Sequence, residues 1–222
     1  MQFVYNIEAG NESLIIKDDI YKYIIKARRN SVGDKVAFRN LNDTFLYTYE
    51  IAMIAKKDAS LNFISKEEKI VEQDKKLHIL WSVVDPKTIE KQLTYLNEIG
   101  VDKITFVYAD YSQKNFKLNF EKFEKILINS SQQCGRSSLI KLELIASLDE
   151  FLSLNPDTYM LNFSTKTIDE VSDIQTVFIG CEGGVSKCEI EKFDSEKIVG
   201  LKSNLILRSE TAITAVASKI LL

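Results

Sequence analysis

Apolar and polar residues follow two different rhythms along this chain. Over residues 1–70 the runs QFVYN, ESLIIK, DKVAFRN, TFLYTYEIAMIA and SLNFIS are short and rich in β-branched and aromatic residues, with turn formers between them. That pattern predicts strands. The exception is DDIYKYIIKARR, where Ile20, Tyr23, Ile24 and Ala27 fall at i, i+3, i+4 and i+7 and predict one helix. Short strands with a single helix predict a small β-barrel.

The run ISKEEKIVEQDKK, residues 64–76, is highly charged and separates this half from a differently patterned one. The domain boundary is placed there, giving units at 1–70 and 71–222. From Leu77 onward strand and helix patterns alternate. LHILWSVV reads as a buried strand; Asp85 caps a helix with Pro86 at its first position, where proline costs little. Ile89, Leu93, Leu96 and Ile99 form its apolar stripe and Gly100 ends it. KITFVYA, LIKLELI, TYMLNF and TVFIG read as further strands, and KIVGL and NLIL as extended. Helices are expected over FEKFEKILINSSQQ, after Ser147, after Ser186 and after Ser209. Ser186 and Glu189 fit the S-x-x-E capping box. This alternation predicts a mostly parallel sheet covered on both faces.

Composition narrows the chemistry. The net charge is −3, with 45% apolar and 27% charged residues, ordinary for a globular chain. No apolar run reaches the roughly 18–20 residues of a membrane helix, and MQFVYNIEAGNE lacks the features of a secretory signal, so a cytoplasmic protein without membrane partners is expected. Cys134, Cys181 and Cys188 form no CxxC, and neither a disulfide framework nor a metal site is expected. His78, the one histidine, sits in an apolar strand. Histidine-based triads are therefore unsupported, and an enzyme here would work by positioning.

Two junctions carry the candidate chemistry. IGCEGGVSKCEI, residues 179–190, runs from a strand through Gly183 and Gly184 into a helix. It matches no phosphate-binding loop, and Glu182 would repel a pyrophosphate. Backbone without Cβ atoms can approach a neutral or cationic ligand closely; a tight strand-to-helix turn reads equally well. NLILRSETAITA, residues 204–215, groups Arg208, Ser209, Glu210 and Thr211 at a second such junction. Ligands of open α/β sheets bind at the carboxyl ends of strands, so the two junctions could form one pocket.

These runs, IGCEGGVSKCEI followed by LILRSETA, with QQCGR at 132–136, resemble the RsmE family of methyltransferases acting on N3 of a uridine in 16S ribosomal RNA. The resemblance implies an α/β architecture: a small N-terminal PUA-like RNA-binding β-barrel over 1–70, then a SPOUT methyltransferase domain with a trefoil knot over 71–222. It implies S-adenosylmethionine as cofactor, the small ribosomal subunit as partner, and a homodimer that the last helix helps to form; Ile213, Val216, Ala217 and Ile220 share a face of that helix, and core burial is the expected role for some of them. The implied cofactor residues are Phe163, Ile179, Gly180, Glu182, Gly183, Gly200, Leu201, Leu205 and Leu207. The chain departs from the family pattern at Cys181, which replaces a proline, at Gln132, which replaces an acid, and in a longer loop through GLKSN. Its N-terminus also lacks the arginine frequent in the family's first few residues.

In this scheme Arg136 and Arg208 stabilise the developing uridinate, and Glu210 holds an arginine or accepts the proton. An acidic protein binds RNA through a local basic patch. Lys22, Lys26, Arg28, Arg29, Lys35 and Arg39 cluster against the single acid Asp34 within residues 21–39 and are the expected RNA contacts. Two other functions stay open: a different SPOUT methyltransferase acting on tRNA or another rRNA position, and a non-catalytic RNA-binding assembly factor.

Overall fold

The structure is a computed structural model that describes residues 2–222. The chain forms two compact units: one comprises the chain up to Glu72 together with Ile128–Leu139, the other Gln73–Leu127 with Ile140–Leu222.

The first unit is built on a five-stranded sheet in the order β1-β3-β4-β5-β2. Its strands are β1 (Val4–Tyr5), β2 (Ser13–Lys17), β3 (Lys35–Arg39), β4 (Phe45–Ile54) and β5 (Asp58–Glu68). β1 pairs with β3 in parallel and the other pairs are antiparallel. Irregularities in the β4–β5 register at Thr48/Tyr49 and Ile51/Met53 curl the sheet around its core. Leu14, Ile16, Phe38, Tyr49, Ile51 and Leu61 fill that core. β5 runs on to Glu68, so the charged stretch beginning at Ile64 is partly strand, its side chains in solvent.

The predicted amphipathic helix differs from expectation. After one α-turn, α1 (Asp18–Tyr21), the chain widens into a π-helix over Lys22–Ala27. The wider winding moves the buried face off the 3.6-residue period. Tyr21 and Ile24 are buried, whereas Ala27 is exposed. Tyr21 anchors the turn by donating its hydroxyl hydrogen to the Ala55 carbonyl at 2.8 Å.

The second unit is a six-stranded, wholly parallel sheet in the order β11-β9-β10-β6-β7-β8. Its strands are β6 (His78–Ser82), β7 (Lys103–Val107), β8 (Lys141–Ile145), β9 (Tyr159–Leu161), β10 (Thr176–Ile179) and β11 (Ile198–Val199). β6 and β10 are buried almost throughout, as central parallel strands should be. The helices are α2 (Pro86–Ile99), α3 (Phe120–Cys134), α4 (Leu148–Leu154), α5 (Lys187–Ile190) and α6 (Ser209–Leu221). α2 forms as its sequence dictates: Asp85 accepts from the Lys87 N–H at its start, and Gly100 closes it at φ 103°. α3 runs out of this unit, and its last turns belong to the first.

Residues 204–207, expected to be extended, form a loop with no strand pairing. Ser209 is the first residue of α6 and not its cap; Arg208 holds the cap position without a side-chain bond to the helix. Ile213, Val216 and Ala217 are buried, and Thr214 donates to Gln92 of α2 at 2.9 Å. No helix among the described residues is long and apolar enough to cross a membrane.

Candidate cofactor cradle and substrate residues

Strand order places three loops of the second unit side by side, at the carboxyl ends of β9, β10 and β11. They enclose a cavity of about 460 Å³. Phe163, Ile179, Gly180, Glu182, Gly183, Gly200, Leu201, Leu205 and Leu207 all line it. So do Cys181 and Ser209, which the sequence marked without giving them a cofactor role, and Asn162, Ser164, Ser203 and Ile206, which it did not single out. The β9 loop was legible only by analogy, since it carries no glycine and follows a strand of three residues.

Hydrogen bonds lock the loops together. Asn162 N donates to Val199 O at 2.9 Å, Gly200 N to Lys166 O at 2.8 Å, and Ile168 N to Gly200 O at 2.9 Å. A Cβ on Gly200 would lie 2.7 Å from the backbone oxygen of Ser164, so only glycine lets these strands approach. In the glycine loop, Gly184 N donates to Cys181 O at 2.9 Å and Gly184 takes φ +80°. Cys181 is buried, which pushes its thiol pKa up; in place of a proline it gives a neutral side chain whose sulfur lies 3.7 Å from Gly184 O.

Two polar networks brace the cradle from behind. Ser209 Oγ accepts from Trp81 Nε1 at 2.9 Å and donates to Gly180 O at 2.5 Å. Below the glycine loop, Glu189 completes the capping box with Ser186 and also accepts from Asp110 N at 2.9 Å, tying α5 to the loop after β7. Ser186 Oγ donates to Asp110 Oδ2 at 2.5 Å.

The donor set tests what could sit here. Among the described residues Glu182 is the one charged lining residue, and no lysine or arginine faces the cavity. A phosphate would meet a carboxylate and no countercharge. A nucleoside bearing a positive centre fits: apolar walls for a flat ring, glycines that let it lie close to the backbone, and one carboxylate for the cation. The residues present therefore suit S-adenosylmethionine.

Arg208 and Glu210 come together at the head of α6, but loosely. Their closest approach is 3.9 Å, and the Arg208 side chain is 83% exposed. So open a pair contributes little to stability. Arg136 belongs to the first unit and is buried, its Nε 3.4 Å from Ser138 Oγ. Gln132, in the same segment, is structural. Its side-chain oxygen accepts from Tyr5 N at 2.8 Å and its carbonyl from Gln2 N at 2.7 Å, supporting strand β1.

Of the six predicted RNA contacts, Lys22, Lys26, Arg28, Arg29 and Lys35 are exposed. Arg39 is not: it is 1% exposed, donates to Thr44 O and Lys69 O, and lies over the Phe3 ring. Burial lowers its pKa, and its role is to hold two chain segments together. Alternation along β3 puts Phe38 in the core and Arg39 on the opposite face; there the Phe3 ring and the Thr44 and Lys69 carbonyls bury it, a placement that charge counting misses.

Matches to known families define the chain as an RNA methyltransferase. The family model described as an RNA methyltransferase domain matches residues 71–221, and one described as an RNA methyltransferase PUA domain matches 16–64. A curated Helicobacter pylori protein named ribosomal RNA small subunit methyltransferase E is 40% identical over 98% of each chain. The chain belongs to the ribosomal RNA small subunit methyltransferase E family. Its fold matches that of a Legionella pneumophila protein solved with S-adenosylmethionine, at TM-score 0.79, 23% identity and coverage of 98% and 96%. A Neisseria gonorrhoeae ribosomal RNA small subunit methyltransferase E bound to S-adenosylmethionine gives TM-score 0.80 at 16% identity, with 98% and 95% covered.

Proposed function

We propose that this protein transfers a methyl group from S-adenosylmethionine to N3 of a uridine in the 16S rRNA of the small ribosomal subunit. The observation that carries the reading is the cradle, where Gly180, Gly183, Gly184 and Gly200 stand among apolar side chains and Glu182 is the one charged lining residue among those described. S-adenosylmethionine, when bound, supplies a methyl group activated by a sulfonium. The Phe163 and Leu205 side chains would cover the purine, Gly180, Gly183 and Gly200 would give backbone contact, and Glu182 would face the positive end.

The protein's own work on the base is positioning and charge control. Uridine N3 must lose its proton before it can act as a nucleophile. Arg208, with its guanidinium free in solvent, would meet the negative charge that develops on the uracil oxygens. Glu210, close to Arg208, would orient it or take the proton. Arg136 is carried as a further candidate for stabilising that anion.

The units divide the labour in this reading. Residues 1–70 act as a PUA-like, barrel-type RNA-binding domain and 71–222 as the SPOUT domain. A trefoil knot is supported by the chain path. From central β10 the chain passes to β11 at the sheet edge beyond β9, then returns in α6 beside α2. Phe163, Leu205 and Ile206 expose most of their apolar surface at the cavity mouth, which supports a second subunit covering it. A cytoplasmic homodimer acting on ribosomal RNA is the resulting picture.

Mass spectrometry of rRNA nucleosides from a deletion strain tests this. Loss of 3-methyluridine from 16S rRNA is expected, with recovery on complementation. Loss of a tRNA or ribose methylation would point to another SPOUT activity. An unchanged nucleoside profile would point to a non-catalytic assembly factor.

A further inference from the structure

A second cavity lies wholly within the first unit. It measures about 220 Å³ and is walled by the chain at β1, the π-helical turn and β3. That is smaller than the roughly 300 Å³ at which drug-sized sites begin. Its size suits one flat heterocycle with its sugar.

The lining has a consistent chemistry. Its two charged residues, Arg28 and Lys35, are both basic and both exposed. Gln2 and Asn30 add amides able to donate and accept, and Tyr23 supplies an aromatic wall. Arg28 is already arranged against that wall: its Nε donates to the Tyr23 hydroxyl at 2.7 Å, and its guanidinium carbon lies 5.2 Å from the ring centre. A guanidinium plane and a phenol ring are the two surfaces on which unpaired bases stack. Arg28 and Lys35 would face the attached phosphate.

The backbone is built to present these groups. Six residues of π-helix lead into Arg28, and Arg29 then takes φ 60°, in the left-handed region. π-helical turns of this kind occur frequently at functional sites. The opposite wall is linked to a segment with its own expected role. Gln2 N donates to Gln132 O at 2.7 Å, and a Cβ on Gly135 would lie 3.1 Å from Gln2 Cγ. A ligand pressing on Gln2 therefore presses on the residues next to Arg136.

We propose that this cavity docks a single unpaired nucleotide of the RNA substrate, its base against Tyr23 and Arg28 and its phosphate between Arg28 and Lys35. The proposal rests on the reading of RNA as substrate and divides the basic cluster. Arg28 and Lys35 belong to a shaped site, while Lys22 and Lys26, which do not line it, give only general attraction.

The test uses the full chain and a short, unstructured oligouridylate carrying 4-thiouridine. Photocrosslinks mapped by mass spectrometry on the unaltered protein should fall on Tyr23 or its cavity neighbours. Tyr23→Leu and Arg28→Met should each weaken binding about tenfold, the order expected for one lost stacked base. Lys22→Met and Lys26→Met should weaken it only about twofold, an effect removed by added salt. Binding with crosslinks elsewhere, or equal losses at all four positions, overturns the cavity and leaves the RNA reading standing. If the unaltered protein binds no RNA, both fall together.

Discussion

Trp81 Nε1 donates to Ser209 Oγ at 2.9 Å, joining a central strand to the first residue of the last helix across 128 positions of sequence. The same hydroxyl donates to Gly180 O, so one oxygen couples β6, the glycine loop and α6. Both side chains are buried. Ser209→Ala strands the indole N–H without a partner and should cost about 1–3 kcal/mol in urea unfolding. Cofactor affinity, measured by calorimetry, should fall with it, because the Gly180 carbonyl loses its anchor. Unchanged stability and affinity would show that the hydroxyl braces nothing.

Gly200→Ala makes a sharper case. The added methyl meets a backbone oxygen at 2.7 Å, and backbone cannot swing aside as a side chain does. We expect about 1–3 kcal/mol of destabilisation, the usual range for overpacking, and cofactor binding weakened at least tenfold. Gly183→Ala meets the Tyr111 Cβ at 2.9 Å and should also weaken binding, since that loop can relieve the contact only by moving.

The two arginines should separate by burial. Arg208 is 83% exposed, so Arg208→Ala should leave stability within about 0.5 kcal/mol while lowering kcat about a hundredfold or more. Cofactor affinity should hold. Arg136→Ala removes a buried cation and should lower both stability and turnover, with turnover falling far more than cofactor affinity. Collapse of cofactor binding in either variant would mean that the arginine serves the cradle and not the base.

What the sequence made legible follows from where each signal resides. α2 was readable to the residue because Asp85, Pro86 and Gly100 act through their own backbone neighbours. The glycine loop was readable because its capping box is likewise local. Three features were decided by distant contacts. The turn at Lys22–Ala27 reads as α-helix, but anchoring of Tyr21 to Ala55 accompanies a π winding. Arg39 counts as a surface cation until Phe3 and the chain at Thr44 and Lys69 close over it. Ser209 has the chemistry of a cap, yet its hydroxyl is taken by Trp81 and Gly180. The cradle itself was visible as two of its three loops, because the β9 loop lacks any residue whose chemistry marks it.

His78 gives the pH dependence. Its Nε2 lies 2.7 Å from Thr105 Oγ1, and that hydroxyl donates to Glu143 Oε1 at 2.5 Å, so the threonine oxygen is left to accept and Nε2 carries the hydrogen. The ring packs edge-on against Phe151. Burial, and then the nearby Lys103, lower its pKa from 6.5 to about 4, against the smaller opposing pull of Glu143 and Asp102. The unfolded chain therefore takes up this proton first as pH falls. The stability tied to neutral His78 is intact above pH 6.5 and is lost between 6.5 and about 4. Allowing for partial solvent screening of the ring, the loss should be about 1–2 kcal/mol. The measure is a difference, which cancels whatever the rest of the chain contributes: urea unfolding of the unaltered chain and of His78→Gln at pH 7 and near 4.5. The glutamine variant should be less stable at pH 7 yet lose less on acidification. Equal losses in both proteins would show that His78 does not set the acid limb.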